Sequence, residues 1–474
     1  MSAMVDPRIN VGLPPGIIWE DVQTGVCFDS NKILPFRKFA AGKAVLGGQF
    51  GDEGKGKEVD SMAEEYKRHG YKLLSIRGQG SGNAGHTVQV NGVKYDFHYL
   101  TSAGLSANIM LLGPGMLIDP IRALKEMEKL PEEQRRIVMI AERATISTDF
   151  ERFSDAWGEA QIRESNAKIG TTGSGVGPGT ATRAYRYHVT FADAIQCKSI
   201  QELRAKFLKN PMLPTELKRE AERIFSDDYL SSIMAAIKQL NVVDSVALIN
   251  KLRSEGDWAV ILEVSQAVGL DPLFGNGCHL VTSTPTTFPG AVWGSGLTFG
   301  DFSDGCTIIT KSYTSKVGGG ALLTQFTLEE ALIEQKIRAM TGGEKGVTTG
   351  RLRNLGWPDA VLVRVSISLN DPEIVVNCMD VIGELPQVTD QIKLCFAYKN
   401  IHTGEVTYDW PYNIYDYMPL YVTLPIAGKE SDQVIREYIL LLEAVLGRKI
   451  TRFGVGPGRG QYHPRNYAFD AIVI

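Results

Sequence analysis

Residues 44–57 read Ala44-Val45-Leu46-Gly47-Gly48-Gln49-Phe50-Gly51-Asp52-Glu53-Gly54-Lys55-Gly56-Lys57, a short apolar run that breaks into a glycine-rich, charged loop. Just beyond it, Val59, Met62, Ala63 and Tyr66 recur at i, i+3, i+4 and i+7, the spacing of an amphipathic helix. From Gly51 the loop follows the frame G-x-x-x-x-G-K, so a strand, a phosphate loop and a helix succeed one another in the required order. Glycines let successive backbone N–H groups curl around an anion, and the helix N-terminus adds positive potential to that of Lys55 and Lys57. A plain glycine-rich turn would leave two acidic and two basic residues among three glycines without a purpose. Glu58 stands where a Ser or Thr would hold Mg²⁺, so a metal here needs another ligand, and Asp52 is the candidate.

Outward from this loop, glycines cluster again at 78–85, 170–179, 290–300, 318–320, 342–350 and 454–460. Apolar stretches lie between the clusters: Leu73-Leu74-Ser75-Ile76, Val260-Ile261-Leu262 and Val361-Leu362-Val363 read as strands. Ile435, Tyr438, Ile439, Leu442 and Val445 repeat the helical spacing. Strands that end in glycine-rich loops and lead into helices predict an α/β fold. A large, mostly parallel central sheet should be flanked by helices and carry ligands at its strand ends. With no internal repeat or linker, residues 43–474 read as one catalytic domain with a helical insertion near 200–255. Residues 1–42, acidic and proline-bearing, read as an N-terminal extension on its surface.

Composition narrows the class. The 474 residues are 43% hydrophobic and 22% charged, with a formal net charge of −4. No overall positive field recruits nucleic acid or an anionic membrane, so a phosphate ligand must be held by local groups. The six cysteines form no CxxC pair, as in a cytoplasmic protein with reduced thiols. No apolar run reaches the length of a membrane span.

The literal text Gly-Asp-Glu-Gly-Lys-Gly-Lys resembles the signature of adenylosuccinate synthetases, and the resemblance continues in order along the chain. Asn83-Ala84-Gly85-His86-Thr87 and Tyr95-Asp96-Phe97-His98 come next. Ile169-Gly170-Thr171-Thr172 and Gly175-Val176-Gly177-Pro178 follow, then Val281-Thr282-Ser283, Gly346-Val347-Thr348-Thr349-Gly350-Arg351 and Gly356-Trp357. The similarity spans roughly residues 43 to 460.

The resemblance implies a ligase that joins IMP to L-aspartate at the expense of GTP, through a 6-phosphorylated purine nucleotide and with Mg²⁺. It implies that Asp52 removes the purine N1 proton, that His86 donates a proton toward the 6-oxygen and that Lys55 holds the transferring phosphoryl group. Gln266 would touch the purine 6-substituent. The metal would be held by Asp52 and the Gly85 carbonyl. The donor nucleotide would meet Gly51, Glu53, Gly54, Gly56, Lys57, Asp380, Gly456 and Pro457. IMP would meet Asn83, Thr172 and Thr282, together with Arg186 reaching across a homodimer interface. Thr348, Thr349, Arg351 and Arg353 would bind aspartate, since arginine suits bidentate carboxylate capture.

The pattern departs from the family in places. The base-recognition motif Thr-Lys-Leu-Asp is here Asn377-Cys378-Met379-Asp380, which keeps the carboxylate and loses the lysine stem that covers the ring. GTP is favoured on the strength of Asp380, with ATP the alternative. Ser174 replaces a basic residue, Gln266 is followed by Ala267 rather than Gly, and the last motif reads Gly454-Val455-Gly456-Pro457-Gly458-Arg459. A divergent viral branch that makes the 2-amino analogue from dGMP typically lacks the loop aspartate, and the presence of Asp52 argues against it. A non-catalytic nucleotide binder would have no need of Asp52 and His86 together.

Overall fold

The computed structural model describes residues 20–21, 26–27, 37–90, 93–162, 170–211, 213–275, 280–346 and 350–466. Ten strands form its central sheet: β1 (Ala41–Gly47), β2 (Lys72–Arg77), β3 (Ile109–Leu112), β4 (Val138–Ala141), β5 (Asn241–Val243), β6 (Trp258–Glu263), β7 (Cys306–Lys311), β8 (Glu373–Asn377), β9 (Arg452–Gly454) and β10 (Tyr462–Pro464). Their order is β5-β4-β3-β2-β6-β1-β7-β8-β9-β10. Every pairing is parallel except β9 with β10. From β1 the chain builds outward through β2 to β5, returns through β6 into the gap beside β1, and then builds the other way through β7, β8 and β9. The order therefore reverses around β1 and β6, and a doubly wound sheet leaves its ligand crevice at the carboxyl ends of such strands.

The sheet is parallel because both faces are covered, and its strands are apolar on both faces for the same reason. All six residues of β6 are buried. Alternate residues feed two cores: Leu46, Val260, Leu262 and Ile308 pack into one, and Val45, Ala259, Ile261 and Ile309 into the other. Helix α1 (Lys55–Arg68) starts directly after the glycine-rich loop and buries Val59, Met62, Ala63 and Tyr66, the expected stripe. Ile435, Tyr438, Ile439 and Leu442 are likewise buried on the helix Ser431–Leu446.

One expectation is corrected and another is extended. Val361-Leu362-Val363 belongs to a helix, Ala360–Asn370, not to a strand. Asp359 caps it, accepting from the N–H groups of Val361 and Leu362, and the run is buried on several sides, so apolar content gave no period to read. The insertion near 200–255 does hold four helices, Ile200–Phe207, Thr215–Ile224, Asp227–Ile237 and Ser245–Glu255, but it also carries β5, the edge strand of the sheet. A three-residue strand is too short to show an alternation. No helix among the described residues is long and apolar enough to cross a membrane.

Candidate active site

The loop after β1 turns through left-handed backbone at Gly51 (φ 99°), Asp52 (φ 60°) and Gly54 (φ 91°). Gly54 has a second reason to be glycine: a Cβ there would lie 2.6 Å from Nδ2 of Asn377, which donates to the Glu53 carbonyl at 2.8 Å. Asp52 adopts this conformation with a side chain, as does Gln266 after β6 (φ 59°). Strained non-glycine residues of this kind gather where the surrounding structure needs a particular side chain in place. Glu53 turns inward and ties the loop to itself. Its carboxylate accepts from the backbone N–H of Gly51 (2.7 Å) and of Gln49 (3.1 Å) and from Lys55 Nζ (2.8 Å).

β2 delivers the second group. It ends in the fully buried Arg77, whose guanidinium donates to the carbonyls of His98 and Tyr99 and to the Ser265 hydroxyl, binding the following turn to the sheet. His86 opens the hairpin His86–Val90/Val93–Phe97 at the end of that turn. Its Nδ1 is paired with Glu263, the last residue of β6, which also accepts from the Ser102 N–H (2.7 Å) and hydroxyl (2.6 Å). Burial alone would raise the Glu263 carboxyl, but His86 beside it and the Ser102 hydrogen bonds bring it down to about 2. With Nδ1 engaged, the buried Nε2 of His86 has no protein partner among the described residues, and His86 lines the cavity described next. Gln266 presents a similar orphan, its Oε1.

A cavity of about 670 Å³ opens at the carboxyl ends of β1, β2, β6 and β7. Asp52, Lys55, His86 and Gln266 line it, with Gly51, Gly54, Gly56 and Gly85. Asn83, Thr172, Thr282, Arg351 and Arg353 line it too. Residues from five separate sequence motifs therefore face one space.

Others lie elsewhere. Glu53 and Lys57 are not on the cavity wall. Lys57 donates to the carbonyls of Gly456 (2.7 Å) and Gln461 (2.9 Å) and stands 3.7 Å from the centre of the Tyr462 ring. The lysine at the end of the loop frame thus ties α1 to the β9–β10 turn, and Lys55 is the loop lysine that reaches the cavity. Glu58 pairs with Arg452, which accounts for its place where a metal-binding hydroxyl would stand. Arg459 pairs with Asp60 at 2.6 Å, a third tie between α1 and that turn, which contains Gly456 and Pro457. Asp380 follows β8, outside the cavity lining, with a buried Oδ1 that has no protein partner among the described residues. Arg186 is exposed, with left-handed backbone (φ 66°), away from the cavity of its own chain. Thr348 and Thr349 lie outside the described residues, as does Ile169.

Glu263, Lys311 and Glu344, charged residues that support the site, are among those that went unread in the sequence. Glu263 and Lys311 each close a buried apolar strand, and that position, a lone charge at the end of a hydrophobic run, is a signal that could have found them. Glu344, after Gly342-Gly343, carries no such mark. Its carboxylate accepts from Lys311 Nζ (3.1 Å), from the Tyr313 hydroxyl and from Arg353 Nη1 (2.6 Å). Arg353 in turn donates from Nη2 (2.6 Å) and Nε (3.1 Å) to Oδ2 of Asp52.

A doubly wound parallel sheet with a glycine-rich, lysine-bearing loop at its switch point and an acid, a histidine and arginines around one crevice defines a nucleotide-handling α/β protein. The family model for adenylosuccinate synthetase matches residues 44–463. Adenylosuccinate synthetase of Fusobacterium nucleatum is 31% identical over 443 residues, covering 89% of this chain and 98% of its own. The Schizosaccharomyces pombe protein of the same name is 32% identical over 440 residues, 88% and 95% of the two chains. The chain belongs to the adenylosuccinate synthetase family. Among solved structures it is similar to the fully ligated adenylosuccinate synthetase of Plasmodium falciparum (TM-score 0.77, 27% identity, 89% of this chain and 99% of that one). It also shares its fold with the succinoaminodeoxyadenylate synthetase of cyanophage S-2L (TM-score 0.59, 15% identity, 92% and 98% covered), which was solved with dGMP and dATP.

Proposed function

We propose that the protein condenses IMP with L-aspartate to adenylosuccinate, converting GTP to GDP and phosphate. The observation that carries this reading is the meeting of Asp52, His86 and Gln266, from the ends of β1, β2 and β6, in one cavity with Arg351. Hypoxanthine O6 is a poor leaving group, so it must be phosphorylated before an amine can displace it. Asp52 takes the N1 proton, and the electron pair makes O6 the nucleophile. O6 attacks the γ-phosphorus, its bond to the β,γ-bridging oxygen breaks, and GDP departs. Lys55 and the loop amides hold the transferring group. The α-amine of aspartate then attacks C6, the C6–O bond breaks, and phosphate leaves. His86, oriented by Glu263 through Nδ1, uses Nε2 to supply a proton to the departing oxygen, while the attacking nitrogen loses one.

Asn83, Thr172 and Thr282 offer short polar donors to the IMP phosphate. Arg186 is exposed and does not line its own cavity, and in this reading a second subunit brings it to the site and the working unit is a homodimer. Aspartate is taken by Arg351 with Thr348 and Thr349. Mg²⁺ fits the oxygen donors present, the Asp52 carboxylate and the Gly85 carbonyl. An ion that keeps few protein ligands and takes the rest from phosphates and water needs no more. Among the described residues no cluster of three or more His, Cys, Asp or Glu offers an all-protein cage. When bound, the ion neutralises charge on the transferring phosphoryl group. The cysteines at 197, 306, 378 and 395 are free thiols, in keeping with a cytoplasmic setting.

Phosphate release by the purified protein with IMP, aspartate, GTP and Mg²⁺ tests the reading. Release should require all of the organic substrates and be accompanied by adenylosuccinate. Release that ignores IMP or aspartate would sink it.

A further inference from the structure

Each nitrogen of the Arg353 guanidinium has a carboxylate partner. Nε and Nη2 converge on Oδ2 of Asp52, and Nη1 is held by Oε2 of Glu344. Glu344 is buried and gathers two further donors, Lys311 from the end of β7 and the Tyr313 hydroxyl just beyond it. Its backbone is left-handed (φ 48°), and its carbonyl accepts from the Arg353 N–H at 3.0 Å. Glu344 and Arg353 thus close the base of the loop that carries Arg351. A guanidinium fixed between two carboxylates, with its Nε/Nη2 edge on Asp52, is held in place by charges of its own chain. Arg351 is differently placed: Nη2 donates to the carbonyls of Gly170 (2.7 Å) and Thr171 (3.5 Å).

Resting on the ligase reading above, we infer that the two arginines divide the work. Arg351 receives the amino acid, whereas Arg353 orients Asp52, and Glu344 is the positioning residue that holds Arg353 there. The sheet reaches Asp52 by a second route through this chain, since Lys311 anchors Glu344 to β7, the neighbour of β1. The consequence is a change of step. A residue that only binds aspartate acts after phosphoryl transfer, whereas one that aligns the base acts before it.

The test isolates the first step. GTP carrying ¹⁸O in the β,γ-bridge is incubated with IMP and Mg²⁺ and no aspartate, and migration of the label to non-bridging β-positions reports reversible transfer to O6. Glu344→Gln, nearly isosteric, and Arg353→Leu should each slow migration by about 30-fold or more, and Glu344→Asp should recover part of it. In the full reaction Glu344→Gln should lower kcat while the KM for aspartate stays within about threefold. Wild-type migration in Arg353→Leu and Glu344→Gln, with a large rise in the KM for aspartate, would overturn the division and return Arg353 to the amino acid. If Glu344→Gln does not fold, Tyr313→Phe removes one donor from the same carboxylate and should give a smaller loss in the same direction; an unchanged rate would count against Glu344. If the wild-type protein neither migrates label nor forms product, the ligase reading fails. The crystal structure of Glu344→Gln then decides separately: Arg353 withdrawn from Asp52 upholds the positioning role, and an unaltered pair ends it.

Discussion

His86 and Asp52 line one cavity, and each is steadied by a buried carboxylate, but by different means. Glu263 touches His86 directly and is the last residue of β6, so the sheet itself aims the imidazole. Glu344 reaches Asp52 only through Arg353 and stands at the base of a loop. The side-chain exposures follow: 4% for His86, 30% for Asp52. In the proposed mechanism His86 is a proton donor that needs one fixed direction, and a strand end supplies it. Asp52, proposed as a base that also admits phosphates and a metal, needs an open side, and its support is a cation at one oxygen. The alignment of the histidine is therefore a property of the core, and that of the aspartate a property of the loop that also presents Arg351.

The comparison breaks most visibly at the base. Asp52→Asn keeps size and loses basicity, so turnover should fall by about two to four orders of magnitude while IMP and GTP still bind, measured by steady-state kinetics and equilibrium dialysis. Near-normal turnover would end the proposed mechanism. Next is the amino acid: Arg351→Leu should raise the KM for aspartate by about 100-fold and leave that for IMP within a few-fold. Equal loss for both substrates would make the loop a closure over the whole site.

A milder effect is expected at the histidine's support. Glu263→Gln still accepts at one atom but loses the charge beside the imidazole, so kcat should fall by about 10- to 100-fold with little change in either KM. The same carboxylate makes a pH prediction. Its folded-state value near 2 lies below the ordinary carboxylate range, so its stabilisation is complete above that range and is lost as pH falls from about 4.5 toward 2. Glu344, which Lys311 and Arg353 hold down to about 2 against the opposing effect of burial, acts in the same window. Melting temperatures between pH 6 and 2.5 should drop less steeply in Glu263→Gln than in the wild type. Identical slopes would show that the pair carries no such linkage.

How much could be read in advance follows the same division. The glycine-rich loop between β1 and α1, the His86 turn and the buried strands were legible because glycine clusters and apolar runs report backbone needs that are local. Helix Ala360–Asn370 was misread because burial on several sides erases the 3.6-residue period, and β5 was missed because three residues show none. Lys57 illustrates another limit. The motif frame places a lysine near phosphates, yet the β9–β10 turn, some 400 residues away in sequence, captures it. The Glu344 relay is equally non-local, joining positions 52, 311, 313, 344 and 353, and no window of sequence contains it.

The smallest effect concerns the donor base, where the sequence departs from the family's motif. Cys378 occupies the place of the family lysine and adopts left-handed backbone (φ 62°) to start the helical turn that carries Asp380. It offers no stem to cover a ring, at a cost of about 1 kcal/mol to either base. Asp380 discriminates in kind. Its Oδ1 is buried without a protein partner among the described residues, which is costly unless a ligand donor completes it. Guanine offers N1–H and N2–H₂ to a carboxylate, whereas adenine presents the N1 lone pair. Burial raises the Asp380 carboxyl above its ordinary value, with Lys57 nearby among the groups that offset this. Unpaired polar groups make such choices steep, so GTP should exceed ATP in kcat/KM by at least about tenfold. Asp380→Asn keeps an acceptor and adds a donor that adenine N1 can use, and it should narrow the gap from both sides. Equal kcat/KM for the two donors in the wild type would show that Asp380 does not read the base, and its buried oxygen would then need another partner.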